Sequence, residues 1–251
     1  MRGMKKLSAF LITAAILLTF AACSNTDDSD TVQNIDGTPA PILETVVSDL
    51  DDSETVEVGD ERIGTTVKFG GYDWLVLDVQ GDRMLIISVN ILETRAYHAA
   101  GDSVTWEDSD IRAYLNGGFY DSFSESNKAK IAEVTNKTPD NHWFGTAGGA
   151  DTGDRIFLLS LDEVVKYFGD SGQLDNRPSG ATTIDDEYSA ARTAYNTRGM
   201  PWWWWLRTPG SFESDAVGVD GGEDVEGIIS VSGSYVSVDY GGVRPALWVV
   251  L

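Results

Sequence analysis

The sequence predicts an α+β domain with a twisted antiparallel sheet and a few short helices, and three patterns carry that reading. An apolar hairpin opens the folded part, a capped helix stands in its middle, and glycine-punctuated apolar runs close it.

The hairpin is read from TVKFGGYDWLVLDVQGDRMLIISVNIL. Phe69, Trp74, Val76 and Leu77 lead into a turn at Gln80, Gly81 and Asp82, and Met84 to Val89 forms the returning strand. In TWEDSDIRAYLNGGF, Ser109 caps a short helix that places Ile111 and Leu115 four residues apart, and Gly117 and Gly118 are expected to end it. A second helix is expected from Glu125 to Val134, started by Ser124. DRIFLLSLDEVVKYFG gives the clearest local signal. Ile156 to Leu159 reads as a strand, Ser160 and Glu163 as a capping box, Val164, Tyr167 and Phe168 as one helix face, and Gly169 as the stop. A further helix is expected over Asp186 to Tyr195 in a polar stretch. After Gly210 the pattern becomes all-β: Ala216–Val219, Ile228–Val231, Tyr235–Val238 and Val243–Val250, separated by glycine turns.

Ahead of this domain the chain opens MRGMKKLSAFLITAAILLTFAAC. A basic start, an apolar run from Leu7 to Phe20 shorter than the roughly 20 residues that span a bilayer, and small residues before the sole cysteine, Cys23, form a secretory signal layout over residues 1–22. The cysteine's position resembles the lipidation site of bacterial lipoproteins, although Phe20 stands where that box usually has Leu. The alternative is an ordinary signal peptide that leaves a free thiol. Lipid on Cys23 implies membrane anchoring on the extracellular side and excludes disulfides and thiol catalysis. Cleavage there leaves 15 Lys and Arg against 40 Asp and Glu, a net charge of −25. That field repels nucleic acid and anionic headgroups and attracts cations or basic partners. Residues 23–62 lack basic groups up to Glu61 and are rich in Asp, Ser and Thr, so they read as a disordered acidic tether, with residues 63–251 as the globular domain.

TWEDSDIRAYLN, DRIFLLSLDEVVKYF, and WWLRTPG followed some thirty residues later by GVRPALW together resemble the secreted bacterial family called domain of unknown function 6273. The C-terminal arrangement is similar to the core of C-type-lectin-like folds, including the sulfatase-modifying-factor branch. What the resemblance implies is a compact domain whose loop-rich face binds sugars or proteins. The formylglycine-generating relatives use cysteines, so that activity is not expected here.

Four consecutive tryptophans, Trp202 to Trp205, pose the central functional question. Strand alternation predicts that Trp202 and Trp204 share one face and Trp203 and Trp205 the other, with only one face meeting a single core. Burial of an indole removes about 150 to 250 Å² from water, at most about 4 to 6 kcal/mol, which favours an inward role. The competing reading is an exposed aromatic platform for a sugar ring or an apolar partner. Trp202 and Trp203 suit the platform, because the family pattern accounts only for Trp204 and Trp205. Arg207 and Arg244, beside apolar residues, read either as buried clamps onto carboxylates or carbonyls or, for Arg207, as a ligand anchor.

Other chemistries lack support. His98 and His142 lie in separate segments without the partner spacing of a zinc site, and no nucleophile elbow, phosphate loop or dinucleotide motif occurs. Acidic groups at Asp151 and Asp154, and at Asp220, Glu223, Asp224 and Glu226, offer calcium-type oxygens but not the ordered calcium loop, so they read as solvated loops. No resident cofactor is expected. The sequence thus predicts a cell-surface lipoprotein with a non-catalytic domain that binds glycan or cell-wall polymer through Trp202, Trp203 and Arg207. A structural or protein-interaction module and a two-carboxylate hydrolase are the alternatives.

Overall fold

The computed structural model describes residues 60–251; Cys23, the signal segment and nearly all of the expected tether lie outside the described residues. The described chain is mixed α+β, mostly antiparallel sheet with a few short helices, as the sequence predicts. It contains two multi-stranded sheets rather than one.

The first sheet has the order β1-β2-β3-β13-β5, with β1 at Thr66–Phe69, β2 at Tyr72–Gln80, β3 at Arg83–Ser88, β13 at Ala246–Val250 and β5 at Ile131–Ala132. The expected hairpin forms: Gln80 pairs with Arg83 around Gly81, whose φ of 61° suits a tight turn. The last strand is central. It lies between β3 and β5, with Leu247 opposite Ile86 and Trp248 opposite both Leu85 and Ala132.

The second sheet has the order β4-β12-β9-β10-β11-β8, using Glu93–Thr94, Gly242–Val243, Trp204–Pro209, Asp215–Val219, Ile229–Tyr235 and Thr183–Ile184. Its one parallel contact joins β12 to β9 at Gly242 and Trp204. The expected single strand from Val243 to Val250 is therefore divided between the two sheets. Arg244 and Pro245 make the passage, and Pro245, which has no amide hydrogen, contributes its carbonyl to Ser88. Tyr235–Val238 is likewise not a separate strand: β11 ends at Tyr235, and the chain turns as the Val238 amide donates to Tyr235. A small third pair joins β6, Val134–Asn136, to β7, Thr152–Asp154.

Three of the four helices keep their predicted starts, and α3 alone keeps its predicted length as well. α1, Asp110–Tyr114, is capped by Ser109, whose hydroxyl accepts from the Arg112 amide. Gly117 and Gly118 do not end it: the chain continues through a π-helical turn, Leu115–Phe119, which carries Phe119 against Phe123 with ring centroids 5.4 Å apart. α2 is confined to Glu125–Lys128 because Ile131 leaves to pair with Val249 on the edge of the first sheet. α3, Leu161–Phe168, has the complete capping box between Ser160 and Glu163 and buries Leu161, Val164, Val165 and Phe168. Tyr167 is only half-buried, with its hydroxyl donating to Asp78. The expected helix at 186–195 reduces to α4, Ser189–Arg192. Ile156 to Leu159 is extended and buried but forms only a bridge from Phe157 to Ala246, because its other carbonyls serve side chains and β9.

Candidate functional site

The aromatic run divides along the chain rather than by strand face. Trp204 and Trp205 begin β9 and are fully buried. Their ring N–H groups find carbonyls in different segments: Trp204 Nε1 donates to Arg192 at 3.2 Å, and Trp205 Nε1 donates to Arg95 at 2.9 Å. All six residues of β9 are buried, so both of its faces are covered and the expectation that only one meets a core is corrected. A central strand packed on both faces accepts two consecutive indoles.

Trp202 and Trp203 precede the strand and are half-buried. The Trp202 amide donates to Ala194, and its ring N–H donates to the Tyr240 carbonyl at 2.9 Å, which fixes the orientation of the indole. Trp203 meets Trp205 edge-on, with centroids 4.5 Å apart at 75°, and meets Tyr240 at 5.9 Å. Two glycines make this packing feasible. A Cβ at Gly221 would overlap the Trp202 backbone, and one at Gly241 would overlap the Trp205 ring nitrogen.

A cleft of about 330 Å³ opens beside these rings. Met200, Pro201, Trp202 and Trp203 form an apolar side, and Gly221, Gly222, Glu223 and Glu226 from the β10–β11 loop complete it. A second hollow of about 270 Å³ adjoins it, with Asn196, Thr197, Arg198 and Tyr240 in its lining. Met200 and Trp202 line both; the first hollow also carries Glu223 and Glu226, the second Arg198. The volume lies at the lower end of the range of small-ligand clefts, and rings with polar groups around them are the usual composition of such sites.

Arg207 does not reach this cleft. It is 2 % exposed, and its guanidinium donates to both carboxylate oxygens of Glu163 and to the carbonyls of Lys137 and Leu158. Of the two readings for Arg207, the clamp is the one seen, joining β9 to the first turn of α3, and the ligand contact is not; a buried guanidinium must use its donors internally. Arg244 is a second clamp. It donates to the carbonyls of Ser88 and Arg192 and lies 4.8 Å from the Trp204 ring. Burial pulls its pKa down to about 9, which leaves it charged at neutral pH.

The acidic groups divide similarly. Asp154 has a fully buried side chain that accepts from Thr152, Trp106, Asn136 and Arg112. Burial pushes its pKa up, but these donors outweigh burial and hold the carboxyl below its ordinary value. It joins α1 to the β6–β7 pair, with no oxygen left for calcium. Among the described residues, no group of three or more His, Cys, Asp or Glu side chains is placed to hold a metal ion. His98 pairs with Asp102 at 3.0 Å, and His142 with Asp162 at 2.9 Å.

Sequence reasoning singled out Trp202 and Trp203 but not Met200, Asn196, Arg198 or Tyr240. The available signal was Gly221-Gly222 and Gly241-Gly242, which mark where backbone and indole approach closely.

Fold and cleft together define a small α+β domain with an aromatic hollow at the head of a central buried strand. The chain belongs to the family described as domain of unknown function (DUF6273), whose model matches residues 81–251. The match begins at the turn before β3, so β1 and β2 lie outside it although β2 pairs with β3. No curated protein and no solved structure matches the chain.

Proposed function

We propose that this protein is a lipoprotein held at the extracellular face of the membrane through Cys23, and that its domain, C-type-lectin-like in fold, binds glycan or cell-wall polymer without catalysis. The observation that carries this reading is the pair of half-buried indoles, Trp202 and Trp203, beside a cleft while their neighbours fill the core. Indoles held by a hydrogen bond and by edge-on stacking present fixed apolar faces, and such faces suit the C–H face of a sugar ring at low entropic cost. Return of the final strand to the first hairpin, with glycine-rich loops gathered around the aromatic run, favours the lectin-like comparison.

Calorimetric titration of the full chain with wall-polysaccharide fragments tests the proposal. Trp202→Ala should weaken binding at least about tenfold while the protein still melts cooperatively. Equal binding by wild type and variant would reject the cleft as the ligand site.

A further inference from the structure

Resting on the cleft reading above, the charge of the cleft gives the ligand a chemical class. The wall facing Trp202 and Trp203 carries Glu223 and Glu226, both exposed. Among the described residues, neither makes an ion pair, and neither accepts a hydrogen bond from a side chain. Carboxylates are acceptors only, so whatever they hold must donate. Indole faces carry negative electrostatic potential and attract cations. Both walls therefore favour the same charge, and the Trp202 N–H is already engaged by Tyr240. Arg198 lines the adjoining hollow, which shares Met200 and Trp202 with the cleft but not Glu223 and Glu226, and like-charge repulsion directs a cationic group away from it towards those two carboxylates. A chain of net charge −22 adds a long-range field of the same preference.

We propose that the cleft binds a sugar carrying a free amine, with the protonated amino group between the Trp202 and Trp203 faces and the carboxylates of Glu223 and Glu226. An N-acetylated sugar keeps the ring but loses the charge and two of the three N–H donors, so the site should discriminate against it.

The test is calorimetric titration of the full chain, at mildly acid pH, with glucosamine trisaccharide, its N-acetylated counterpart and trilysine. The glucosamine trisaccharide should bind at least about tenfold more tightly than the acetylated one, the scale of one desolvated cation–π contact. Glu223→Gln with Glu226→Gln should reduce that preference by at least about threefold, leaving the share of the indole faces, with the melting temperature near wild type, since both residues are exposed. Equal affinities for the two trisaccharides, or a preference that the double substitution leaves unchanged, overturns the inference and leaves the glycan cleft standing. Trilysine binding at this cleft as strongly as the glucosamine trisaccharide overturns the assignment to a sugar. Binding of either trisaccharide that is unchanged in Trp202→Ala overturns the cleft reading itself, and with it this inference. Failure of both trisaccharides to bind overturns the amino-sugar assignment.

Discussion

At the scale of single residues, buried charge ties elements together, whereas on the proposed function the half-buried indoles and the exposed carboxylates of the cleft meet the ligand. Asp154 shows the first use. Asp154→Ala takes the acceptor away from Arg112 Nε, the Trp106 ring N–H, the Asn136 amide and the Thr152 hydroxyl, while the two other Arg112 nitrogens keep the Glu107 and Gly153 carbonyls, so the loss should be about 3 kcal/mol in a denaturant titration, the lower end for a broken buried ion pair. Its folded-state pKa is depressed, so its stabilisation is present above the unfolded value near about 4 and is lost as pH falls through the folded one. Acid unfolding followed by far-UV circular dichroism should therefore be shallower in Asp154→Asn than in wild type. Trp202→Ala should be milder, about 2 kcal/mol, because the ring is only half-buried. Side-chain identity at the cleft was partly legible in the sequence: extra tryptophans beyond the family pattern pointed to Trp202 and Trp203. The inward fate of Arg207 was open in the sequence, because an arginine beside apolar residues has the same local appearance whether its partner is Glu163 or a ligand.

At the scale of elements, local rules set where α1, α2 and α3 begin, while tertiary pairing sets where α2 ends. The Ser160 capping box was visible because both of its partners lie within four residues, and Ser160→Ala should cost about 1 kcal/mol of stability. The shortness of α2 was not visible, since only the folded sheet supplies Val249 as a pairing partner for Ile131. The same holds for β9. Alternation does not extend to Trp202 and Trp203, which precede the strand, and the inference of one solvent-facing side fails because all six residues of β9 are buried. Close approach at Gly241 belongs to this scale too: Gly241→Ala must displace the Trp205 ring or the β11–β12 connection and should lower stability by about 1 to 3 kcal/mol. A thermal melt would read that loss.

At the scale of the whole molecule, the last strand closes the fold by entering the sheet begun by the first hairpin, and the passage through Arg244 and Pro245 joins the two sheets. The α+β class, the opening hairpin and the nearness of a terminal guanidinium to the aromatic run were legible, because each follows from patterning or motif order. Division of the final apolar run between two sheets was not, since long-range partners leave no local periodicity. Truncation after Val243 should abolish cooperative unfolding of the entire domain rather than fray one edge, which a loss of the near-UV dichroism of buried tryptophans would report. The account's central claim is that Trp202 and Trp203 form the ligand surface while the remaining tryptophans are scaffold. Oxidative footprinting of the full chain, read by mass spectrometry with and without saturating wall glycan, tests it most directly. Selective protection of Trp202 and Trp203, with the other six tryptophans unchanged, is the predicted result. An oxidation pattern at those two positions that ligand leaves unaltered would contradict it.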